Sequence, residues 1–148
     1  MNKFTTRKPV SLKEEKRWIQ NLKKFKKQEH HFAINTNKGF HIGSVSLLLS
    51  LMDKNANFSI LIGDKNYWNK GYGREAIKII LNYAFNKLRL NRIYLGVISY
   101  NKRAIRLYKK FGFKLEGRSR EHIFYKGKFY DLLEMGILKN EWQKLNKK

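Results

Sequence analysis

Apolar positions along the chain fall into two rhythms. Trp18, Ile19, Leu22 and Phe25 recur at the 3.6-residue spacing of one helix face, and Ser11 with Glu14 has the spacing of a capping box, so a basic helix is expected over Leu12 to Lys27. Phe32-Ala33-Ile34 and Ile42 to Leu49 read as two strands of a hairpin around the turn signal Asn37-Lys38-Gly39. Phe58 to Ile62 reads as an interior strand closed by Gly63-Asp64. Ala76, Ile77, Ile80, Leu81, Ala84, Phe85 and Leu88 then mark one long helical stripe, the strongest periodicity in the chain. Arg92 to Ile98 is β-branched and aromatic, hence a strand. Asn101 is placed to cap a short helix that ends at Lys110-Phe111-Gly112, with glycine just past its end. Phe113 to Tyr125 and Phe129 to Leu138 form the last two strands across Lys126-Gly127-Lys128. The order is mixed α+β, with two strand–helix–strand units after the first hairpin.

Neither a repeat nor a Pro/Ser-rich linker divides the 148 residues, and the one proline, Pro9, precedes the first periodic segment. A single domain over 1–148 is expected, with 1–10 as a short extended lead-in. A chain of this size buries roughly 68–70% of its unfolded surface, enough for a core without staples. The absence of cysteine excludes a disulfide scaffold, a thiolate zinc site, an iron–sulfur cluster and a cysteine nucleophile. The longest nearly apolar run, Val45 to Met52, is too short to cross a hydrocarbon layer of ~30 Å, and the N-terminal residues lack a signal-peptide apolar region. The expectation is a soluble, cytoplasmic protein without membrane contact.

Charge alters this picture. The 33 Lys and Arg against 11 Asp and Glu give +22, spread along the whole chain. Such a field attracts nucleic acid, acidic membranes or polyanionic cofactors; it is equally the solvated surface of a Lys- and Asn-rich chain. The densest informative cluster is Lys102, Arg103, Arg106, Lys109 and Lys110.

Two segments carry candidate chemistry. Ile60-Leu61-Ile62-Gly63-Asp64, followed by Trp68-Asn69-Lys70-Gly71-Tyr72-Gly73-Arg74, leads from a strand through a glycine-bearing loop into the long helix. Free N–H groups and the positive end of a helix dipole favour an anion there, glycines admit it to the backbone, and Lys70 and Arg74 add charge. The alternative is a tight strand-to-helix turn and nothing more. The loop is not a Gly-x-x-x-x-Gly-Lys-Ser/Thr motif, and a dinucleotide fingerprint's third glycine is missing, which removes support for nucleotide hydrolysis and hydride transfer. In the second segment Asn101 and Tyr108 lie two turns apart on one helix face, able to reach one cleft. Read singly, they are a plain N-cap and a packing residue.

Jointly and in this order, Tyr67 to Ala76, Asn101 through Leu107-Tyr108-Lys109-Lys110-Phe111-Gly112-Phe113, Glu116-Gly117 and Tyr130-Asp131 resemble the GNAT superfamily of acetyl-CoA-dependent N-acetyltransferases. The wording is similar to the branch of ribosomal-protein N-terminal and spermidine acetyltransferases. The resemblance implies a mixed central sheet with antiparallel N-terminal strands and a splayed parallel pair, flanked by helices. It implies that pantetheine pairs with Leu61, Ile62 and Gly63, that the pyrophosphate lies on Asn69, Lys70, Gly71, Tyr72, Gly73 and Arg74, and that Asn101 bonds the pantetheine arm. Arg103, Arg106 and Lys109 would screen the adenosine phosphates. Tyr108 matches the general acid that protonates the departing thiolate. The reaction is then direct attack by an uncharged amine on the acetyl group of acetyl-CoA, without a metal.

The base stays open among Glu134, Asp131, His122 and Glu75. Trp68 stands where the family usually has Arg or Gln. The resemblance implies a first strand and helix before the segment from Ser11 to Lys27, where only about ten residues stand; either the chain is naturally short or its start is trimmed, and the expectation is an acceptor wall more open, or completed by a second subunit in a homodimer. For the acceptor, net charge favours a protein N-terminus near the ribosome over a polyamine, whereas Glu116, Glu121, Asp131 and Glu134 lie close together and favour the reverse. The competing class is a non-catalytic basic module of the same fold that binds CoA or nucleic acid.

Overall fold

A computed structural model describes residues 28–147; the expected helix over Leu12 to Lys27 and the lead-in over 1–10 lie outside them. The hairpin read from the pattern is β1 (Glu29–Asn35) and β2 (His41–Ser50), antiparallel, followed by β3 (Asn55–Ile62) antiparallel to β2. A 3-10 turn at Lys65–Tyr67 leads to α1 (Tyr72–Asn82), which widens into a single π-helical turn over Tyr83–Lys87. Then follow β4 (Arg92–Ile98), α2 (Lys102–Lys110), β5 (Lys114–Tyr125), β6 (Lys128–Leu138) and α3 (Lys139–Asn146). The six strands form one mixed sheet in the order β1-β2-β3-β4-β6-β5.

Strand alternation sends Val45, Leu47 and Leu49, then Ala56 and Phe58, Ile93, Leu95 and Val97, and Leu133, Met135 and Ile137 to one face. The α1 stripe, with Ile77, Ile80, Leu81, Ala84 and Phe85 all buried, packs on that face together with Ile105 and Tyr108 of α2. Every described helix therefore contributes to one layer. The opposite face carries Ser46, Asn57, Ser59, Arg92, Tyr94, Gly96 and Glu134, and is polar. Among the described residues no helix is long and apolar enough to cross a membrane.

Pattern reading missed α3, whose eight residues hold only Trp142 and Leu145 as apolar anchors. Glu141 starts it by accepting the Leu138 N–H at 3.0 Å, and Trp142 packs on Phe85 with ring centroids 5.3 Å apart. Gly112, read as the stop of α2, has φ +95° and also receives α3: a Cβ there would stand 2.4 Å from Leu145 Cδ1 and 3.2 Å from Ile137 Cδ1. Gly112→Ala accordingly combines left-handed strain of about 1–2 kcal/mol with a displaced helix. A fall in thermal midpoint of several degrees is expected on melting, larger than for Gly127→Ala, where φ +73° brings the backbone strain but nothing lies within 4 Å of an added Cβ.

Candidate active site

The functional geometry begins where two strands part. β3 and β4 run parallel but pair only at Asn55 with Arg92, Ala56 with Ile93 and Asn57 with Tyr94. Beyond that point β3 stays bonded to β2 as far as Ile62, and β4 stays bonded to β6 as far as Ile98. Each strand is held by its outer neighbour and released by its inner one, so a slit opens toward their C-terminal ends. It widens into a cleft of about 490 Å³ lined by Phe58, Ile60, Gly73, Gly96, Asn101 and Tyr108, among others. Unpaired strand edges inside a sheet offer main-chain donors and acceptors to an extended ligand.

Backbone phase decides which groups face the slit. The Gly63 N–H donates to the Ile42 carbonyl at 3.0 Å, and the Leu61 carbonyl turns toward β2, so close that a Cβ on Gly43 would overlap it. This corrects the expectation for Leu61 and Gly63. By alternation, the slit-facing groups belong to Phe58, Ile60 and Ile62. Of these, the Ile62 carbonyl accepts the Trp68 indole N–H at 2.8 Å. Trp68, a departure from the family pattern in the sequence, thus closes the outer end of the strand edge. Arg103 lies 4.6 Å from the centroid of the same ring and donates to Asn69 Oδ1 at 3.2 Å, joining the start of α2 to the glycine loop.

The loop itself has the geometry of an anion cradle. Asn69 (φ +59°) and Gly71 (φ +88°) are left-handed, and the first helical bond of α1 runs from the Glu75 N–H to the Gly71 carbonyl at 2.9 Å. The N–H groups of Tyr72, Gly73 and Arg74 thus precede the helical ladder, and among the described residues no backbone carbonyl accepts from any N–H between Asn69 and Arg74. Trp68 and Gly73 face the cleft, while Lys70, Gly71, Tyr72 and Arg74 border a larger depression of about 1260 Å³ between α1, β1 and α3. The loop straddles the two.

On α2, Asn101 is both N-cap and cleft residue: its Oδ1 accepts the Ala104 N–H at 3.2 Å, which leaves the Nδ2 hydrogens uncommitted. Tyr108 lies on the cleft floor, 9% exposed, edge-on to Phe58 at 6.3 Å and tilted against Phe113 at 5.7 Å. Among the described residues its hydroxyl has no hydrogen-bond partner. Burial pushes the phenol up to about 12, so it stays protonated through the physiological range. Arg103 lines the cleft; Arg106 does not. With Lys102, Lys109 and Arg118, Arg106 rims a separate shallow depression over Ile105 and Leu133.

The candidate bases are scattered. Glu75 is in the first turn of α1. Asp131 is occupied in holding the β5 irregularity, accepting from the Glu121 N–H at 2.9 Å and from Arg118 at 3.1 Å, and His122 lies within that irregularity. Glu134 is on the polar face, opposite Gly96 of β4.

A helix-starting anion cradle thus lies beside a parted parallel strand pair, with a protonated phenol on the floor between them. The chain belongs to the GNAT acetyltransferase family: residues 1–114 match the model described as Acetyltransferase (GNAT) domain. Spermidine N(1)-acetyltransferase from Vibrio cholerae is 33% identical over 115 residues, which cover 77% of this chain and 66% of that protein. The Escherichia coli (strain K12) spermidine N(1)-acetyltransferase is 30% identical over 115 residues, or 77% of this chain and 61% of that one. The crystal structure of spermidine N-acetyltransferase from Vibrio cholerae in complex with CoA and spermine superposes with a TM-score of 0.81 at 30% identity, covering 90% of this chain and 78% of that chain. The matched segment thus spans about three-fifths to two-thirds of the length of these curated relatives.

Proposed function

We propose that this chain is an acetyl-CoA-dependent N-acetyltransferase whose acceptor is a primary amine of the polyamine class. The observation that carries the reading is the slit: two parallel strands paired over three residues and then parted beside a cradle of free N–H groups. The family and the resemblance to spermidine acetyltransferases support the acceptor class, in place of the protein N-terminus favoured by net charge.

The residues present fit CoA. Main-chain groups of Ile60 and the N–H of Ile62 suit a pantetheine arm, the Nδ2 of Asn101 suits one of its carbonyls, and N–H groups from Asn69 to Arg74, with Lys70 and Arg74, suit the pyrophosphate. Acetyl-CoA supplies the activated acyl group. Tyr108 holds its proton at the cleft floor, where the sulfur leaves. The acceptor reaches the acetyl carbon as a free amine, since an alkyl ammonium has no lone pair with which to attack. Because no side chain has to carry the acetyl group, Tyr108 acts on the leaving group alone.

Two measurements test this. Acetyl-CoA at a hundred times its Kd adds about 2.7 kcal/mol of stability, which raises the thermal midpoint by several degrees. Thiol release on adding spermidine then reports turnover. A melting curve indifferent to acetyl-CoA would overturn the reading at its root; a shift without thiol release would leave a CoA-binding module of the same fold.

A further inference from the structure

Glu134 stands midway along β6 on the polar face, its Cα opposite Gly96 of β4 on one side and Gly117 of β5 on the other. With glycine on both flanks, neither neighbouring strand puts a side chain of its own beside the carboxylate, although on the β4 side Leu132 of β6 lies over Gly96, its Cδ1 3.4 Å from where a Cβ would stand. The side chain leans over β5: a Cβ on Gly117 would come within 3.1 Å of Glu134 Oε2. In a chain with 33 cationic and 11 acidic side chains, this exposed carboxylate makes no hydrogen bond or direct ion pair among the described residues, and Arg92, which feels its charge, is committed to Glu116. The nearby cations are already engaged. Arg92 forms a two-pronged pair with Glu116, both contacts at 2.5 Å, Lys114 bonds Glu141, and Arg118 bonds Asp131.

Position gives the carboxylate a meaning. Gly96, its partner on β4, also lines the slit, so Glu134 belongs to the surface that surrounds the slit's polar-face mouth. Strands lie roughly 4.8 Å apart, which places a carboxylate over β5 roughly 10 Å from the β4 edge of that slit. This is too far to take a proton directly from an attacking nitrogen. It is about the reach of an extended triamine.

We propose that Glu134 is the specificity-determining anchor for a second ammonium group of the acceptor, holding the far cation of a di- or polyamine while the near nitrogen enters the slit. The inference rests on the transferase reading above and adds to it the residue that separates polyamines from monoamines. Gly117 is part of the device, because a side chain there would crowd the carboxylate, and the apolar surface of Leu132 over Gly96 suits the methylenes of an amine chain lying across the sheet.

The test compares spermidine with butylamine by thiol release, using the wild-type chain, Glu134→Gln and Gly117→Ala, with melting curves to verify folding. The wild type should prefer spermidine in kcat/KM. Glu134→Gln should lower that preference roughly tenfold, with the loss on KM rather than kcat, as expected for binding energy shared by ground and transition states. Gly117→Ala, which crowds the carboxylate without removing it, should move the preference in the same direction by a smaller factor. A preference unaltered in Glu134→Gln, a loss falling equally on both amines, or a wild type that takes butylamine as well as spermidine would overturn the anchor. A wild type that releases thiol with neither amine would instead defeat the transferase reading.

Discussion

Replacing Tyr108 with phenylalanine is expected to reduce turnover about a hundredfold or more while leaving CoA affinity in place. Positioned acids contribute on the order of 10²–10⁴ in rate, and the hydroxyl is the only atom the substitution removes. Its lack of a hydrogen-bond partner among the described residues makes the experiment clean: no bond within the fold is broken, and both ring contacts, with Phe58 and Phe113, survive. Removing a hydroxyl that bonds no other group of the fold should leave the melting temperature close to that of the wild type. Burial also fixes a pH signature. The folded phenol holds its proton up to about 12, above its ordinary value near 10, so the folded state loses stability as pH climbs from 10 through about 12. That alkaline loss should shrink in Tyr108→Phe. Thiol release within threefold of wild type would eliminate the acid role.

The second large effect is expected at Gly73. Its φ lies outside the left-handed region, and a Cβ built there would meet only Ile62 Cδ1 at 3.6 Å and Leu107 Cδ2 at 4.0 Å, ordinary contacts. The fold therefore accepts alanine, and helix propensity favours it by about 1 kcal/mol, so Gly73→Ala should melt no lower than wild type. The added methyl nevertheless enters the cleft beside the free N–H groups that open α1. Acetyl-CoA affinity should fall roughly tenfold or more in a calorimetric titration, because a phosphate can no longer approach the backbone closely. Opposite signs for stability and binding separate a ligand site from a turn. Gly71 would give a less decisive answer, since its φ of +88° makes any side chain strained before a ligand is considered. Unaltered affinity in Gly73→Ala would show that the loop is only a connection.

How far the sequence carried these assignments varies from element to element. The α1 stripe was legible because Ala76, Ile77, Ile80, Leu81, Ala84, Phe85 and Leu88 serve one packed face, with Ile79 turned outward, and Asn101 and Gly112 delimit α2 through chemistry that acts within a few residues. The slit was not legible from pattern alone. Phe58 to Ile62 is apolar whether or not its inner edge is paired, and only the family resemblance implied a parted pair. Backbone phase was hidden too: whether Gly63 or Ile62 faces the slit depends on registry with β2, a partner across a turn. Arg103 and Arg106 looked equivalent within one basic cluster, yet Arg103 borders the cleft and stacks on Trp68, whereas Arg106 borders the depression over Ile105 and Leu133. Glu134 was one acid among four on the last strands. What singles it out is the pair of glycines beside it on two other strands, a relation that exists only once the sheet is assembled.

The parting of β3 from β4 also sets how traffic must run. On the proposed reading the thioester's long carrier arrives from the helical side and the amine from the polar surface, so the opening between the two strands is where they meet. Only a two-carbon fragment crosses from one side of the sheet to the other. Neither partner has to vacate a berth for the other to arrive, and each product can depart by the door through which its parent entered.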